Sequence, residues 1–214
     1  MRVVLASASP ARLAVLRAAG LDPVVEVSDF DEDGLLAAMP DAPPETKVTA
    51  LAAAKATTVA RRIADRWPEA IVLGCDSMLH IAGELVGKPA DAAQARGRWR
   101  AMAGGRGELL TGHAVLRTEN GAIDRVAEGH AVTEVRFADP SPAELEAYLA
   151  TGEPLAVAGA FTLDGLGGWF VEGIDGDPSN VIGISLPLTR RLLAAVGTTV
   201  TDLWRRDPTD TRGE

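Results

Sequence analysis

The sequence is poor in cysteine, has no long apolar run and lacks an excess of basic residues. Its one cysteine, Cys75, excludes an internal disulfide and is typical of a protein in the reducing cytoplasm. No apolar stretch reaches the length of a membrane span, and residues 1–5 are too short for the apolar part of a secretory signal. Nucleic-acid binding needs a basic surface, whereas the net charge here is −9. We therefore expect a cytoplasmic protein that has neither a membrane nor a nucleic acid as its partner.

Lysine is also scarce, because only Lys47, Lys55 and Lys88 contribute lysine to the 21 basic side chains. A chain that favours arginine this strongly is expected to keep lysine where a compact ammonium group is needed, since the two side chains differ in shape and hydration. Lys55 and Lys88 are therefore candidates for a functional site. An alternative stays open for Lys55, which lies among alanines in a helical stretch and is compatible with a surface lysine whose stem lies along the helix.

The length of 214 residues suits one α/β domain with a substantial core. The periodicity predicts strands over 2–6, 23–28, 70–76, 78–81, 84–87, 107–118 and 122–137, and helices over 10–19, 44–67, 92–102, 142–150 and 187–196. Residues 34–43 and the glycine-rich stretch 157–187 are predicted to be loops. We assign residues 1–206 to a single domain and residues 207–214 to a polar tail.

The first strand leads directly into a helix whose start carries two serines, a proline and an arginine. Ser9 is suited to cap the free N–H groups of the helix, and Pro10 fits the first helical position. Together with Ser7 and Arg12, these donors would form an anion site at a helix N-terminus. The alternative is an ordinary capped helix, because strands followed by Ser-Pro and a helix are common.

Acidic residues follow two of the predicted strands. Four acids occur within residues 29–33, and Asp76 ends the apolar strand 70–76. In open α/β sheets, ligands bind at the carboxyl ends of strands, so both positions are candidates for chemistry. The alternatives are a solvated acidic loop and a turn or capping aspartate. None of the three histidines shows metal-ligand spacing, and each is expected to be structural or exposed.

Several short segments occur in the order and spacing of the Maf family, which the chain resembles from about residue 2 to residue 197. These segments are LASASPAR (5–12), DE (31–32), AKA (54–56), GCDS (74–77), GKP (87–89), LTG (110–112) and GDPSNVIG (176–183). Each piece is weak alone, but the combination is specific. The form of CDSM (75–78) and FTLDG (161–165) is similar to that of the actinobacterial branch.

The resemblance implies a nucleoside triphosphate pyrophosphatase. Such enzymes cleave between the α and β phosphates, giving a nucleoside monophosphate and pyrophosphate, with a divalent metal cation such as Mg²⁺ or Mn²⁺. The implied fold is α/β and similar to that of inosine triphosphate pyrophosphatase, with a long mixed β-sheet, helices on both sides, and two lobes around a central cleft. Family members are commonly dimers and are associated with removing non-standard nucleotides and with arresting septum formation. We therefore expect a homodimer that acts on non-standard or modified nucleotides.

Carried over by position, the family pattern gives each candidate residue a role. The catalytic acid falls on Asp76, with Glu32, Lys55 and Lys88 beside it, and Glu32 and Asp76 are the expected metal ligands. The phosphate-binding positions fall on Ser7, Ser9 and Arg12, whose guanidinium is suited to bidentate contact with phosphate. A triphosphate is strongly anionic, so we expect these cations to make the cleft locally positive. The positions that read the base fall on Ala11, Ser77 and Asp164.

The base-reading positions depart from the known patterns of the family. Many members have arginine where this chain has Ala11. The pyrimidine-selective branch has Arg, Thr and Gln at the positions of Ala11, Ser77 and Asp164, and the 7-methyl-GTP branch has an aromatic residue, Gln and Glu. An acid at Asp164 is suited to accept hydrogen bonds from the N1–H and N2–H groups of a guanine-like base. We therefore expect a purine, of the class of guanine and its modified forms, as the preferred base.

Two other functions stay open at this point. One is a phosphatase of the haloacid-dehalogenase type, with Asp29 as the aspartyl nucleophile and Asp31 beside it. The other is a non-catalytic nucleotide-binding regulator of septum formation, a reading that only Ala11 favours. Product analysis separates the two enzymes, since a pyrophosphatase releases pyrophosphate and a phosphatase releases orthophosphate.

Overall fold

The computed structural model of the protein describes residues 1–205. The strands are β1 (Arg2–Leu5), β2 (Val24–Val25), β3 (Ala70–Ile81), β4 (Glu84–Val86), β5 (Arg106–Glu119), β6 (Ala122–Phe137) and β7 (Val171–Asp175). The helices are α1 (Pro10–Ala18), α2 (Glu32–Ala37), α3 (Pro44–Arg62), α4 (Ala92–Met102), α5 (Pro142–Ala150), α6 (Pro178–Ile182), α7 (Leu186–Ala195) and α8 (Val200–Leu203). Short 3-10 helices span Glu153–Ala156, Ala158–Ala160 and Leu166–Phe170.

The strands form one mixed sheet in the order β2-β1-β3-β5-β6-β7, and β4 pairs with the end of β3. β1 runs parallel to both β2 and β3, whereas the β3, β5, β6 and β7 neighbours are antiparallel. The predicted α/β class with a long mixed sheet is therefore confirmed. The described residues include no helix that is long and apolar enough to cross a membrane.

Helices cover both faces of the sheet, as expected. Alternate residues of β3 point to opposite faces, so Ile71 and Leu73 pack with α1 and α7, while Val72 packs with α3. A third cluster lies at the far ends of β3, β5 and β6, where Trp99 of α4 contacts an aromatic group formed by Phe137, Tyr148 and Phe170. The core is thus divided along the length of the long strands.

Two glycines bring α3 close to the centre of the sheet. A side chain at Gly74 of β3 would collide with the carbonyl oxygen of Ala52, and one at Gly112 of β5 would collide with that of Val48. Gly112 is the residue of β5 that pairs with Asp76 of β3. The close approach of helix and sheet is what allows the Lys55 side chain of α3 to reach the middle of β3.

Locally encoded elements agree with the sequence predictions. The helix over 92–102 begins at the Asp91 cap, and the helix over 142–150 begins with the capping box of Ser141 and Glu144. The β5–β6 hairpin turns at Asn120 and Gly121, both with positive φ, as expected for a type I′ turn.

Other elements differ from the predictions. Residues 32–37 form a helix rather than a loop, because Asp31 caps it and the acidic residues in its first turn interact favourably with the positive end of the helix dipole. The strand over 23–28 shrinks to two residues, and the helix over 44–67 ends at residue 62. Residues 70–81 form one continuous strand rather than two. The stretch 157–187 contains β7 and α6, and α8 was not expected. The predicted tail, 207–214, lies outside the described residues.

Candidate active site

A cleft of about 810 Å³ opens beside the carboxyl end of β1 and the middle of β3. Every site residue predicted from the sequence lines this cleft: Ser7, Ser9, Ala11, Arg12, Glu32, Lys55, Asp76, Ser77, Lys88 and Asp164. These residues come from separate parts of the chain. The family resemblance identified them only by their order along the sequence, and the fold brings them together in space. The expectation of a central cleft is met.

The centre of the cleft is an ammonium group between two carboxylates. Lys55 Nζ lies 2.6 Å from Asp76 Oδ1 and 2.8 Å from Glu32 Oε2. Lys55 and Asp76 are buried, each only 8% exposed, whereas the side chain of Glu32 is half-exposed. The surface-lysine interpretation of Lys55 is therefore wrong, because the helix turns this residue toward the sheet and an acidic partner. The turn interpretation of Asp76 is also wrong, since this residue lies within the continuous strand β3.

The guanidinium of Arg12 is held by the protein itself. Its Nε donates to the carbonyl oxygen of Gly183 at 2.8 Å, and its Nη1 donates to Ser7 Oγ and to the carbonyl oxygen of Cys75, both at 2.9 Å. Its Nη2 donates to Ser77 Oγ at 2.9 Å. Four of the five N–H groups of arginine are thus engaged, and at most one is left for a ligand. The expected bidentate contact with phosphate does not agree with this arrangement.

Ser77 is part of a directed chain of hydroxyl groups. Its Oγ accepts from Arg12 and lies 2.9 Å from Thr111 Oγ1, and the Thr111 hydroxyl donates to the carbonyl oxygen of Asn180. Because the only hydroxyl hydrogen of Thr111 is used in this way, Ser77 donates its own hydrogen to Thr111. Ser77 therefore presents a lone pair, and no hydrogen, to the cleft.

The helix start after β1 keeps several donors for a ligand. Ser9 caps α1 by accepting from the N–H of Arg12, and Ser7 Oγ accepts from the N–H of Ser9 and from Arg12. Neither serine hydroxyl donates a hydrogen bond to any residue in the described range 1–205, so both hydroxyl hydrogens are available to a ligand. Within residues 1–205 the backbone N–H of Ala11 makes no hydrogen bond, so Ala11 offers its main chain to the cleft.

Lys88 lies at the rim of the cleft on the loop that follows β4, and its side chain is exposed. It forms no ion pair with any residue of the described chain. The preceding carbonyl, that of Gly87, accepts from Arg98 Nη1 at 2.6 Å and from the N–H of Gly159 at 3.1 Å. Lys88 is therefore a free cation on a loop that α4 holds in place. No feature of the sequence pattern indicated that Arg98 would support this loop.

The charge of the cleft is not positive, contrary to expectation. Its charged lining consists of three cations and four carboxylates: Arg12, Lys55, Lys88, Glu32, Asp33, Asp76 and Asp164. Two of these carboxylates contact Lys55 directly. A polyanionic ligand would therefore need additional positive charge to occupy this cleft.

One wall of the cleft is largely apolar. It is formed by residues 155–158 and by Leu163, and Asp164 lies at its exposed end. The segment that carries Asp164 is anchored by Glu153, which the sequence reasoning missed. The one feature of the sequence that could have pointed to Glu153 is its place as an acid directly after Gly152, at the end of α5.

The haloacid-dehalogenase interpretation is not supported by the placement of its residues. The side chain of Asp29 is 90% exposed and pairs with Arg62, and Asp31 is used to cap α2. Neither lines the cleft. Cys75 is buried in β3, and burial raises the pKa of its thiol to about 11, so it is not a nucleophile at neutral pH.

Comparisons with known proteins agree with the family resemblance. The family described as Maf-like protein matches residues 2–196. A protein of Saccharopolyspora erythraea named nucleoside triphosphate pyrophosphatase is 60% identical over 205 residues, which cover 95% of this chain and 97% of that protein. Proteins of the same name from Rhodococcus jostii and Mycolicibacterium gilvum are 62% and 55% identical, over 94% and 96% of this chain and 95% and 99% of their own lengths. With a family match that spans nearly all of its length, this chain belongs to the Maf-like protein family.

Proposed function

We propose that this protein is a nucleoside triphosphate pyrophosphatase, which hydrolyses the α–β phosphoanhydride to a nucleoside monophosphate and pyrophosphate. The observation that carries the proposal is the buried Lys55–Asp76 pair, joined by Glu32, at the centre of a cleft with free donors around it. Relatives about 60% identical over 95% of this chain and 97% of their own length carry this activity in their names.

In the proposed reaction a water molecule attacks the α-phosphorus. A phosphorus–oxygen bond to this water forms as the bond to the α–β bridging oxygen breaks, and pyrophosphate leaves with the electron pair. Asp76 orients the water and accepts its proton. Because Oδ1 of Asp76 is bound to Lys55, Oδ2 is the atom available for this proton; it accepts no hydrogen bond from residues 1–205. A positioned base of this kind contributes about 10²–10⁴-fold.

The remaining donors are suited to bind the phosphates. Lys88 supplies a free positive charge, and Ser7 and Ser9 supply hydroxyl hydrogens next to the N–H of Ala11. Arg12 contributes at most one N–H and mainly fixes the positions of Ser7 and Ser77. These groups stabilise charge that develops on the departing pyrophosphate.

The donor set also fits a divalent cation. Two carboxylate oxygens already converge on one positive group, whereas within the described residues no group of three or more acidic, histidine or cysteine side chains is placed to hold a metal ion. Mg²⁺ is commonly bound through one or two carboxylates, with phosphate and water completing its shell. Glu32 and Asp76 would hold it. When bound, the cation would neutralise phosphate charge that the acidic lining otherwise repels.

For the base we propose a purine, with modified or non-standard guanine nucleotides as the substrate class. Ser77 presents a lone pair, and Asp164 is an acid at the end of the apolar wall. Two acceptors match a base edge that carries N–H donors, as guanine does. The proposal also includes a homodimer in the cytoplasm; light scattering of the purified protein tests the dimer.

The test is incubation of the purified protein with a panel of standard and modified nucleoside triphosphates, with Mg²⁺ or Mn²⁺, followed by assay of pyrophosphate, monophosphate and orthophosphate. We expect equal amounts of pyrophosphate and monophosphate, and dependence on the added metal. Release of orthophosphate alone, or binding without turnover, would refute the proposed reaction.

Two variants sharpen this test. Asp76→Asn keeps an oxygen for Lys55 but loses the base, so we expect turnover to fall by at least about 10²-fold while the fold and nucleotide binding persist. Full activity of Asp76→Asn would exclude this residue as the base. Asp164→Gln exchanges an acceptor for an amide, so we expect it to alter the order of preference across the panel. An unchanged order would contradict the purine assignment.

A further inference from the structure

The segment from Thr162 to Gly167 is folded around a single carboxylate. Oε1 of Glu153 accepts from the Thr162 hydroxyl at 2.5 Å, the N–H of Gly167 at 3.0 Å and the Tyr148 hydroxyl at 3.2 Å. Its Oε2 accepts from the N–H of Leu166 at 3.1 Å. Four donors from the loop and from α5 thus converge on one side chain.

The chain closes tightly on this carboxylate. A side chain at Gly165 would lie within 3 Å of both carboxylate oxygens of Glu153, and one at Gly167 would collide with the Tyr148 hydroxyl. Burial acts to raise the pKa of Glu153, but the hydrogen bonds from Thr162, Gly167 and Leu166 outweigh it and hold the pKa below its usual range. The carboxylate is therefore charged at neutral pH, which strengthens each of these hydrogen bonds.

The loop held in this way forms part of the cleft. Thr162, Leu163 and Asp164 line the cleft, and so do Leu155 and Ala156, which belong to the same 3-10 helix as Glu153. The carboxylate itself does not line the cleft. One side chain behind the wall therefore joins the two segments that form the apolar part of the cleft, and it contacts neither Lys55 nor Asp76 among its hydrogen-bond partners within the described residues.

We propose that Glu153 is a positioning residue for recognition of the nucleobase: it fixes the loop that carries Asp164 and thereby sets affinity for the base without taking part in hydrolysis. This inference rests on the proposed function, since it takes the apolar wall as the site of the base. An uncharged heterocycle suits that wall, whereas the phosphates suit the donors of Lys88 and the α1 start.

The test separates the base from the phosphates by comparing binding of GTP with binding of inorganic triphosphate, which has no base. We expect Glu153→Ala to weaken GTP binding by about tenfold and to leave inorganic triphosphate within about twofold of wild type. In turnover, KM should rise while kcat stays close to that of wild type. The GTP affinity of Glu153→Gln should lie between those of wild type and Glu153→Ala. The amide oxygen of glutamine can keep the three contacts of Oε1, but its NH₂ group faces the N–H of Leu166.

Hydrogen exchange gives a readout that needs no turnover. The amides of Leu166 and Gly167 donate to Glu153, so both should exchange faster in Glu153→Ala. Gly165→Ala leaves Glu153 in place but crowds its carboxylate, and it should produce the same pattern of binding and exchange. The matched control is Glu144→Ala, which removes the capping-box carboxylate at the other end of α5 and should change neither.

Three results would overturn the inference: unchanged exchange at Leu166 and Gly167, equal weakening of GTP and inorganic triphosphate, or the same loss in Glu144→Ala. These outcomes are distinct from failure of the proposed function. That failure would be the absence of pyrophosphate release by the wild-type protein, whereas the binding and exchange measurements decide the role of Glu153 by themselves.

Discussion

Replacement of Lys55 by methionine tests whether the centre of the cleft is a true buried ion pair. The substitution keeps most of the buried stem and removes only the ammonium group. It leaves the carboxylate of Asp76, whose side chain is 11% exposed, without the cation that lies 2.6 Å away. Loss of one partner from a buried pair costs about 3–5 kcal/mol, because the remaining charge stays desolvated.

Repulsion between two carboxylates also lowers the stability of Lys55→Met. Glu32 and Asp76 contact the same nitrogen, so without Lys55 two negative charges face each other. At a separation on the order of 5 Å and an effective dielectric constant of about 20, their repulsion is about 3 kcal/mol. Since the side chain of Glu32 is 47% exposed, solvent screens most of this repulsion, and we take the lower end of the range. We therefore expect Lys55→Met to lower the free energy of unfolding by about 3 kcal/mol.

The assay is urea unfolding at neutral pH without divalent metal, supported by thermal unfolding. For a protein of this size a loss of about 3 kcal/mol corresponds to a decrease in Tm of about 6–12 °C. Lys47→Met is the matched control, because Lys47 lies in the same helix and, within residues 1–205, its ammonium group donates only to the carbonyl oxygen of Pro40 on the surface. This control should change stability by no more than about 0.5 kcal/mol.

The double variant Lys55→Met with Asp76→Asn completes a mutant cycle. It removes both buried charges, so it should recover a large part of the stability lost in Lys55→Met. The reasoning is refuted if Lys55→Met unfolds like the Lys47→Met control, or if the second substitution adds to the loss instead of reversing it.

Two further predictions concern the scaffold. Gly112→Ala should destabilise the protein by several kcal/mol and displace α3 from Asp76, because the new methyl group meets the Val48 carbonyl. The control Gly97→Ala, in an open helical position, should stabilise the protein by about 1 kcal/mol. Equal effects of the two substitutions in chemical denaturation would contradict the close-packing argument. Burial lowers the pKa of His113 from 6.5 to about 4, so between these values the unfolded chain binds more protons and stability should fall on acidification, by up to about 3 kcal/mol. Unfolding of His113→Gln should lack most of this pH dependence, and a dependence that persists would assign it to other groups.

The proposed chemistry divides the cleft into two regions. The charged region holds Lys55, Asp76 and Glu32, and its surplus of carboxylates is the reason for proposing a divalent cation. The apolar region holds the loop fixed by Glu153 and is where we propose that the base is selected. Variants in one region should therefore change turnover and variants in the other should change nucleotide preference.

Local sequence signals were sufficient for elements whose cause lies within a few residues. Ser9 caps α1 as predicted, Asp91 and Ser141 cap the helices predicted over 92–102 and 142–150, and a turn at Asn120-Gly121 joins the strands predicted over 107–118 and 122–137. The order of the family segments also identified ten residues that meet in one cleft. In each case either the interaction is local or the resemblance supplied the missing long-range information.

The sequence by itself determined the α/β class and the family, and the family segments indicated which residues meet in one cleft; the tertiary structure alone decided the contacts that those residues make. Arg12 holds the carbonyl of Gly183, 171 positions away along the chain, so its engagement could not be read from a pattern of neighbours. Lys55 has the local pattern of a surface lysine, yet two glycines of the sheet draw its helix inward to Asp76. Glu153 carries no motif of its own, because its role depends on donors that only the folded loop brings to it.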